Sequence, residues 1–390
     1  MTLRRALAVV VAALALALAP PALARDPGRW LMTGVSSVPL SYWQGVTADP
    51  DRNLYFDGIF AGLYRTTSRL RQTAGNSNVI GLTPEGYNHI GDITRDRGRI
   101  LLPLECFVPG VGNTCGRGAI GVADPRTLAR RYYVNLDPSE IPEAIWAETS
   151  PDGRLLWTSS GDDLLAYRLS EISPTDAAPA APIRATRRLA GAVPPSGITG
   201  AAFRRGRLLL AGQDAAALLK LYSVDLDSGR RRLEIERNVA GESEGLLVFR
   251  TLGGDLHWLV TIADPKGRPP TYGPENALLH FVPRRGKPGL RVRVLARSAV
   301  AGPRVRLSVR VTRRGRAVRS ARVDFAGRRA RTNRRGRAKL VLRFNRPGRY
   351  RVLAQKGGRR GVSRWLRVTL PAASSARAPG TTAATRFGGR

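Results

Sequence analysis

Histidine, cysteine, methionine and lysine are all scarce in this chain. Of 390 residues, three are His, two are Cys and two are Met, and lysine stands only at positions 220, 266, 287, 339 and 356. No two of His89, His257 and His280 have the spacing that places paired imidazoles on one helix face, so a helical histidine metal site is excluded. Long apolar runs are missing too, with one exception. Residues 6–18 are unbroken Ala, Leu and Val, too short for a membrane span, which needs about 20 residues. Arg4 and Arg5 precede the run, Pro20 and Pro21 break it, and Ala22-Leu23-Ala24 supplies a small-residue cleavage site. Residues 1–24 therefore read as a signal peptide, with Arg25 as the first mature residue. No transmembrane segment is expected beyond it, and the mature protein is expected to be secreted or cell-envelope associated. In that oxidising setting Cys106 and Cys115, close together and without further ligands nearby, are expected to form a disulfide.

Acid is missing from one third of the chain. Residues 284–390 hold 33 Lys and Arg against a single carboxylate, Asp324, and carry almost all of the formal net charge of +35. A GC-rich coding sequence accounts for arginine over lysine, but not for the loss of acids from one segment. A row of guanidinium groups attracts phosphate and carboxylate polymers. For an exported chain this points to an anionic cell-envelope polymer and, without a recognition motif, to no specific nucleic acid partner.

Residues 25–283 repeat one plan five times. A small residue opens a short apolar strand: Gly45, Gly91, Ala147, Gly200 and Gly245. A tight polar turn follows, such as Pro151-Asp152-Gly153 or Arg204-Arg205-Gly206, then a stronger apolar strand, such as RLLWTSS or RLLLAGQ. Four-stranded repeats of about 45–55 residues are the pattern of a β-propeller, whose innermost strands crowd an axis where only Gly or Ala fits. The fifth repeat lacks its own fourth strand; residues 30–40 are placed to supply it and close the ring. Five blades are expected, with residues 66–84 or 171–195 left as room for a sixth.

The boundary falls at 284–289, a polar Pro/Gly linker. Beyond it, Leu290, Val292 and Val294 alternate with Arg291 and Arg293, and Val305, Leu307, Val309 and Val311 alternate with Arg306, Ser308 and Arg310. Period-two patterning with one solvated face predicts an immunoglobulin-like β-sandwich over 290–370. Residues 371–390 lack any periodicity and are expected to be a disordered tail. The fold class is thus all-β, a propeller followed by a sandwich.

The repeat plan, with turns such as Asp225-Leu226-Asp227-Ser228-Gly229, resembles secreted propellers of the NHL, YVTN and SMP-30-like group. Glu242-Ser243-Glu244-Gly245-Leu246 also looks like a blade start in phytase-like esterase propellers; no catalytic residue is carried over from either. Residues 321–325, Thr332-Asn333, Gly336-Arg337-Ala338 and Pro347-Gly348-Arg349-Tyr350 resemble a bacterial immunoglobulin-like domain, which implies a spacer or adhesive module.

Two catalytic motifs fit only on paper. Gly241-Glu242-Ser243-Glu244-Gly245 matches a nucleophile elbow, but a strand follows where that turn needs a helix. Gly116-Arg117-Gly118-Ala119-Ile120-Gly121 matches a dinucleotide loop, but lies beside the expected disulfide without a βαβ unit. His257, between Leu256 and Trp258, reads as a packed core residue. The stronger constellation is positional. Loops entering the inner strands share a face with loops leaving the second strands. The first set brings Trp43, Gln44, Asn88, His89, Trp146 and Glu242 to a mouth as candidate ligand-binding residues. Asp92, Glu148 and Glu244 lie on inner strands near the axis, and Asp57, Glu105, Asp162, Asp214 and Asp264 follow second strands. Carboxylates gathered this way suit a hard cation such as Ca2+, or metal-assisted hydrolysis. The expected function is ligand binding at the mouth with the basic part held on an anionic polymer; the alternative is a metal-dependent phosphoesterase or lactonase.

Overall fold

The computed structural model describes residues 29–58, 60–174, 181–214, 218–239, 241–251, 254–262, 275–284, 287–296 and 298–371. The expected signal peptide, Asp264 and residues 372–390 of the expected tail lie outside these. Every regular element among the described residues is a β-strand, and none of them forms a helix long and apolar enough to cross a membrane.

Among the described residues, five sheets follow one another. The first is Val46–Ala48, Asn53–Asp57, Leu63–Thr67 and Gln72–Asn76. In the second, His89–Ile90 and Thr94–Asp96 share the inner position beside Arg99–Glu105, Ala119–Ala123 and Arg130–Asn135. The third is Glu148–Thr149, Leu155–Ser160, Asp163–Arg168 and Arg187–Leu189. The fourth is Gly197–Arg204, Arg207–Gln213, Leu218–Val224 and Arg231–Asn238. The fifth begins with Gly241–Leu247, Leu256–Ile262 and Glu275–Pro283, and Trp30–Pro39 adds its fourth strand. Inner strands touch in the order first, second, third, fourth, fifth and first again, so the sheets surround a common axis as a β-propeller.

Alternation explains why the ring holds. Leu208 and Leu210 join the apolar cluster shared with the third sheet, whereas Leu209 and Ala211 face the fifth. Likewise Leu101 packs toward the third sheet, and Ile100 and Leu102 toward the first. Period-two side chains on a sheet buried on both faces serve two neighbours at once. Each fully buried leucine contributes roughly 1.5–3 kcal/mol. Turns follow from residue type: Arg205 and Gly206 take φ of 51° and 73°, the twist a two-residue hairpin requires.

The C-terminal unit has its own core, including Val309, Val311, Val323, Phe325 and Val352. One sheet is Lys287–Pro288, Arg359–Val362, Leu353–Lys356, Arg322–Phe325 and Arg328–Arg331; the other joins Arg291–Val294, Arg304–Arg313, Arg316–Ala317 and Arg337–Arg343. Gly348–Tyr350, Leu366–Thr369 and Ser298–Val300 instead extend the fifth propeller sheet outward from Trp30–Pro39. The expected linker therefore does not separate two free bodies. Lys287 and Pro288 pair with Arg359 and Arg360, and Gly34–Ser36 pair with 348–350. The outer edge of Trp30–Pro39 carries unpaired backbone groups, and the second unit satisfies them.

A buried hydrogen-bond chain crosses this seam. His257 Nε2 lies 2.7 Å from the Phe249 carbonyl, and its Nδ1 2.7 Å from His280 Nδ1. His280 Nε2 lies 2.7 Å from Ser36 Oγ, which lies 2.5 Å from the Tyr350 hydroxyl. A carbonyl only accepts, so the direction is fixed throughout. Tyr350 donates to Ser36, Ser36 to His280, His280 to His257, and His257 to Phe249. A further proton on His257 would set N–H against N–H, and one on His280 Nε2 would meet the Ser36 hydroxyl proton. Burial lowers His257 to about 4 and, with His257 beside it, drives His280 well below the usual imidazole range. The ring-proton NMR signals of both residues are thus expected to stay at their neutral positions from pH 7 to about 5. Titration of either near 6.5 would contradict the assigned chain.

Candidate functional site

The small residues that open the inner strands meet around one side chain. Asp92 is 1% exposed. Its Oδ1 accepts the Val46 amide at 3.0 Å, and its Oδ2 accepts those of Ala201 at 3.0 Å and Leu246 at 3.2 Å. Its backbone bridges to the third sheet, donating to the Ile145 carbonyl at 2.9 Å and accepting from Ala147 at 3.1 Å. One residue of the second sheet thus ties the other four. The glycines make this approach feasible: a Cβ on Gly245 would stand 2.6 Å from Asp92 Oδ1, and one on Gly200 3.0 Å from Oδ2. Burial pushes the Asp92 carboxyl well up, against the pull of the three amides.

The three carboxylates expected to bind metal do not converge. Those of Asp92 are occupied by amides. Glu148 accepts Thr94 Oγ1 at 2.7 Å and the Phe203 amide at 3.1 Å, tying second and fourth sheets. It lines a 410 Å³ cleft at the far end of the axis, with Thr47, Arg97, Pro151 and Gly153 around it. Glu244 accepts the Trp43 indole N–H at 3.1 Å. Among the described residues no group of three or more His, Cys, Asp and Glu side chains is placed to hold a metal ion. Inner-strand acids face the axis at different depths, and each takes backbone or side-chain donors from neighbouring sheets.

At the mouth, His89 Nδ1 contacts Glu105 Oε1 at 2.7 Å, and its Nε2 contacts the Gln44 amide at 3.0 Å. Asn88 holds the Phe107 backbone through both ends of its side chain, at 2.7 and 3.0 Å. That steadies the hairpin of Phe107–Val108 and Gly112–Asn113, which the Cys106–Cys115 disulfide closes as expected. Trp146 is a correction. It is fully buried, with its indole N–H on Ser159 at 2.8 Å, so it packs the third sheet against the fourth rather than facing a ligand. Asp214 holds its own turn and pairs with Lys220 at 2.6 Å. The nucleophile-elbow match lies in a strand, where Ser243 Oγ receives the Trp258 indole N–H at 3.1 Å.

What remains at the mouth is a group of crowded carboxyls. Asp57 is fully buried; burial, then Asp92, pushes it well up against the pull of the Asp57 and Gly45 amides. Burial and the carboxylates of Glu242, Asp57 and Asp92 do the same to Glu244. Glu242 is raised by burial, and Glu143 by burial and Glu105. Burial holds such groups toward their protonated form, and their acceptor oxygens suit a ligand rich in N–H or O–H donors. Glu143 was not anticipated, because no repeat position marks it.

The C-terminal sheets carry like charges directly opposite one another. Arg304 faces Arg343, Arg310 faces both Arg293 and Arg337, and Arg322 faces Arg331. Like-charged cross-strand pairs are destabilising. Asp324, the lone acid, is taken up by Arg322 at 3.0 Å, Arg329 at 2.9 Å and, across the seam, Arg250 at 3.7 Å.

No family model matches this sequence, and no curated protein matches it. Among solved structures, the chain is similar to the soluble aldose sugar dehydrogenase of Escherichia coli in its apo form. The match covers 64% of this chain and 99% of that one, at 11% identity and a TM-score of 0.38. It is also similar to the extracellular domain of a hybrid two-component system from B. thetaiotaomicron, over 84% of this chain and 50% of that one, at 10% identity and a TM-score of 0.31. A chain of a mitotic checkpoint complex matches over 64% and 81%, at 11% identity and a TM-score of 0.30. The propeller assignment rests on the sheets themselves.

Proposed function

We propose that this chain is an exported binding protein with two working surfaces. One is the carboxyl-lined mouth of a five-bladed propeller, which takes a ligand rich in hydrogen-bond donors. The other is the arginine-rich immunoglobulin-like unit, which associates with an anionic polymer of the cell envelope. The signal-peptide pattern of residues 1–24 and the disulfide support export. The observation that carries the reading is charge segregation within a folded unit. Residues 284–390 hold 33 basic residues and one acid, and their strands set arginine opposite arginine, a cost that a bound polyanion removes. The whole protein is expected to stay on a poly(glycerol phosphate) support at low ionic strength and to elute as salt rises from about 0.1 to 1 M. Passage through the column at low salt would remove the polymer half of the proposal.

A metal-dependent hydrolase at the mouth is the second reading, because the buried carboxyls of Asp57 and Glu244 lie close enough to Asp92 to feel its charge. Hydrolysis of phosphate esters or lactones that a chelator abolishes would favour it; chelator-insensitive silence across such substrates would discard it.

A further inference from the structure

Two clefts at the seam between propeller and C-terminal unit share a wall. The first encloses 460 Å³ and is lined by Arg52 and Arg250 from the propeller and by Arg322, Arg328 and Arg329 from the other side. Its acids are Asp255 and Asp324, and Asp324 is already held by three arginines. The second encloses 480 Å³ and is lined by Arg69 of the propeller with Arg304, Arg328, Arg329, Lys339 and Arg343, and by no acid. Arg328 and Arg329 belong to both, carried on the hairpin turn at Ala326 and Gly327, whose φ values are 43° and 75°. The turn bearing Arg69 is fastened in place: Asn345 Nδ2 donates to the Arg69 carbonyl at 2.7 Å. Burial and the nearby Arg328 and Arg52 cations lower the affinity of Arg69 for its proton. Cations from two units are therefore held together, with Arg304 and Arg343 directly opposed and no carboxylate between them.

We infer that the two clefts form one groove for a linear polyol-phosphate chain, seated jointly by the propeller through Arg69 and by the C-terminal unit through Arg304, Arg343 and Lys339. The inference rests on the polymer-binding reading above and adds a location to it. Guanidinium groups suit phosphate oxygens because their donors are fixed in a planar fork. A groove with cations on both walls favours a chain that runs along it over a charged plane, which meets only its rim.

The test compares charge-matched variants of the full chain by titration with free poly(glycerol phosphate). Arg304→Gln with Arg343→Gln removes the central pair. Arg313→Gln with Arg316→Gln removes an equally like-charged, exposed pair at the far end of the same strand. The first pair is expected to weaken binding about tenfold and to lower the salt slope by about two. The second should change affinity less than about threefold. Arg69→Gln alone, on the propeller side, should weaken binding several-fold. Equal losses from both pairs would mean that net charge alone attracts the polymer, overturning the groove while leaving polymer binding intact. No binding by the unaltered protein would overturn both. Phosphatidylglycerol vesicles present the same phosphate chemistry in a plane; vesicle binding as tight as that to the free chain would also overturn the groove. Thermal unfolding of each variant checks the fold; Arg304, Arg343, Arg313 and Arg316 are exposed and Arg69 is half-buried.

Discussion

Asp92→Ala is expected to lower folding stability by roughly 3–9 kcal/mol, because it leaves three buried amides without an acceptor and each costs about 1–3 kcal/mol. Those amides belong to Val46, Ala201 and Leu246, one on each of three inner strands, so the loss loosens the centre of the ring and not a single sheet. Against a total stability of about 5–15 kcal/mol, the variant should sit near the edge of folding. Asp92→Asn keeps one acceptor oxygen but turns an N–H toward the other amides, and is expected to fall between the two. Urea midpoints give both values. If Asp92→Ala stays within about 1 kcal/mol of the parent, the carboxylate is not the tie described, and the sheets hold through their apolar interfaces alone.

Glu148→Gln is expected to stabilise the protein at alkaline pH. Burial raises the Glu148 carboxyl to about 7, against the pull of Thr94, Phe203 and Thr149. The folded-state value thus lies above the unfolded one, near 4.5. Its contribution is fully present below about pH 4.5 and is lost as pH rises through 7. The full linkage for such a shift is about 3 kcal/mol; water reaches part of this half-buried residue, so about 2 kcal/mol is the expected effect. Glutamine imitates the protonated acid, with an oxygen for the Phe203 amide and an N–H toward Thr94. The stability difference between variant and parent should be near zero at pH 4 and about 2 kcal/mol in favour of the variant at pH 8. Because it is a difference, the comparison is unaffected by His257, whose lowered value works the other way and withdraws stability as pH falls from about 6.5 to 4. A pH-independent difference would mean that Glu148 ionises freely in the cleft.

Much of this architecture was legible in one dimension. Gly45, Gly200 and Gly245 announced strands crowded on an axis because no side chain fits beside Asp92. Arg205-Gly206 announced a hairpin because its backbone needs positive φ. The apolar run of residues 208–211 announced a strand buried on both faces. The closing role of Trp30–Pro39 followed from a missing fourth strand. The site was less legible. Acids near the axis looked like cation ligands, yet the amides that engage Asp92 come from strands 46–154 residues away, a distance no local pattern spans. Trp146 looked like a mouth residue because it precedes an inner strand, but an indole is large enough to be drawn into the gap between sheets. The pairing of Gly34–Ser36 with 348–350 was hidden because an outer strand bears no mark of having a second neighbour.

Ring closure also governs when folding can finish. Trp30–Pro39 pairs with Glu275–Pro283 on one side and with Gly348–Tyr350 on the other. A chain emerging from the ribosome in sequence order must hold its first strand unpartnered until residues 275–283 exist, and its second edge open until 348–350 follow. Contacts between such distant segments form slowly, because a long loop has to be closed before any is gained. Synthesis therefore yields an open, unclosed ring for most of its duration, and the last sheet is completed only when the two distant ends of the chain meet.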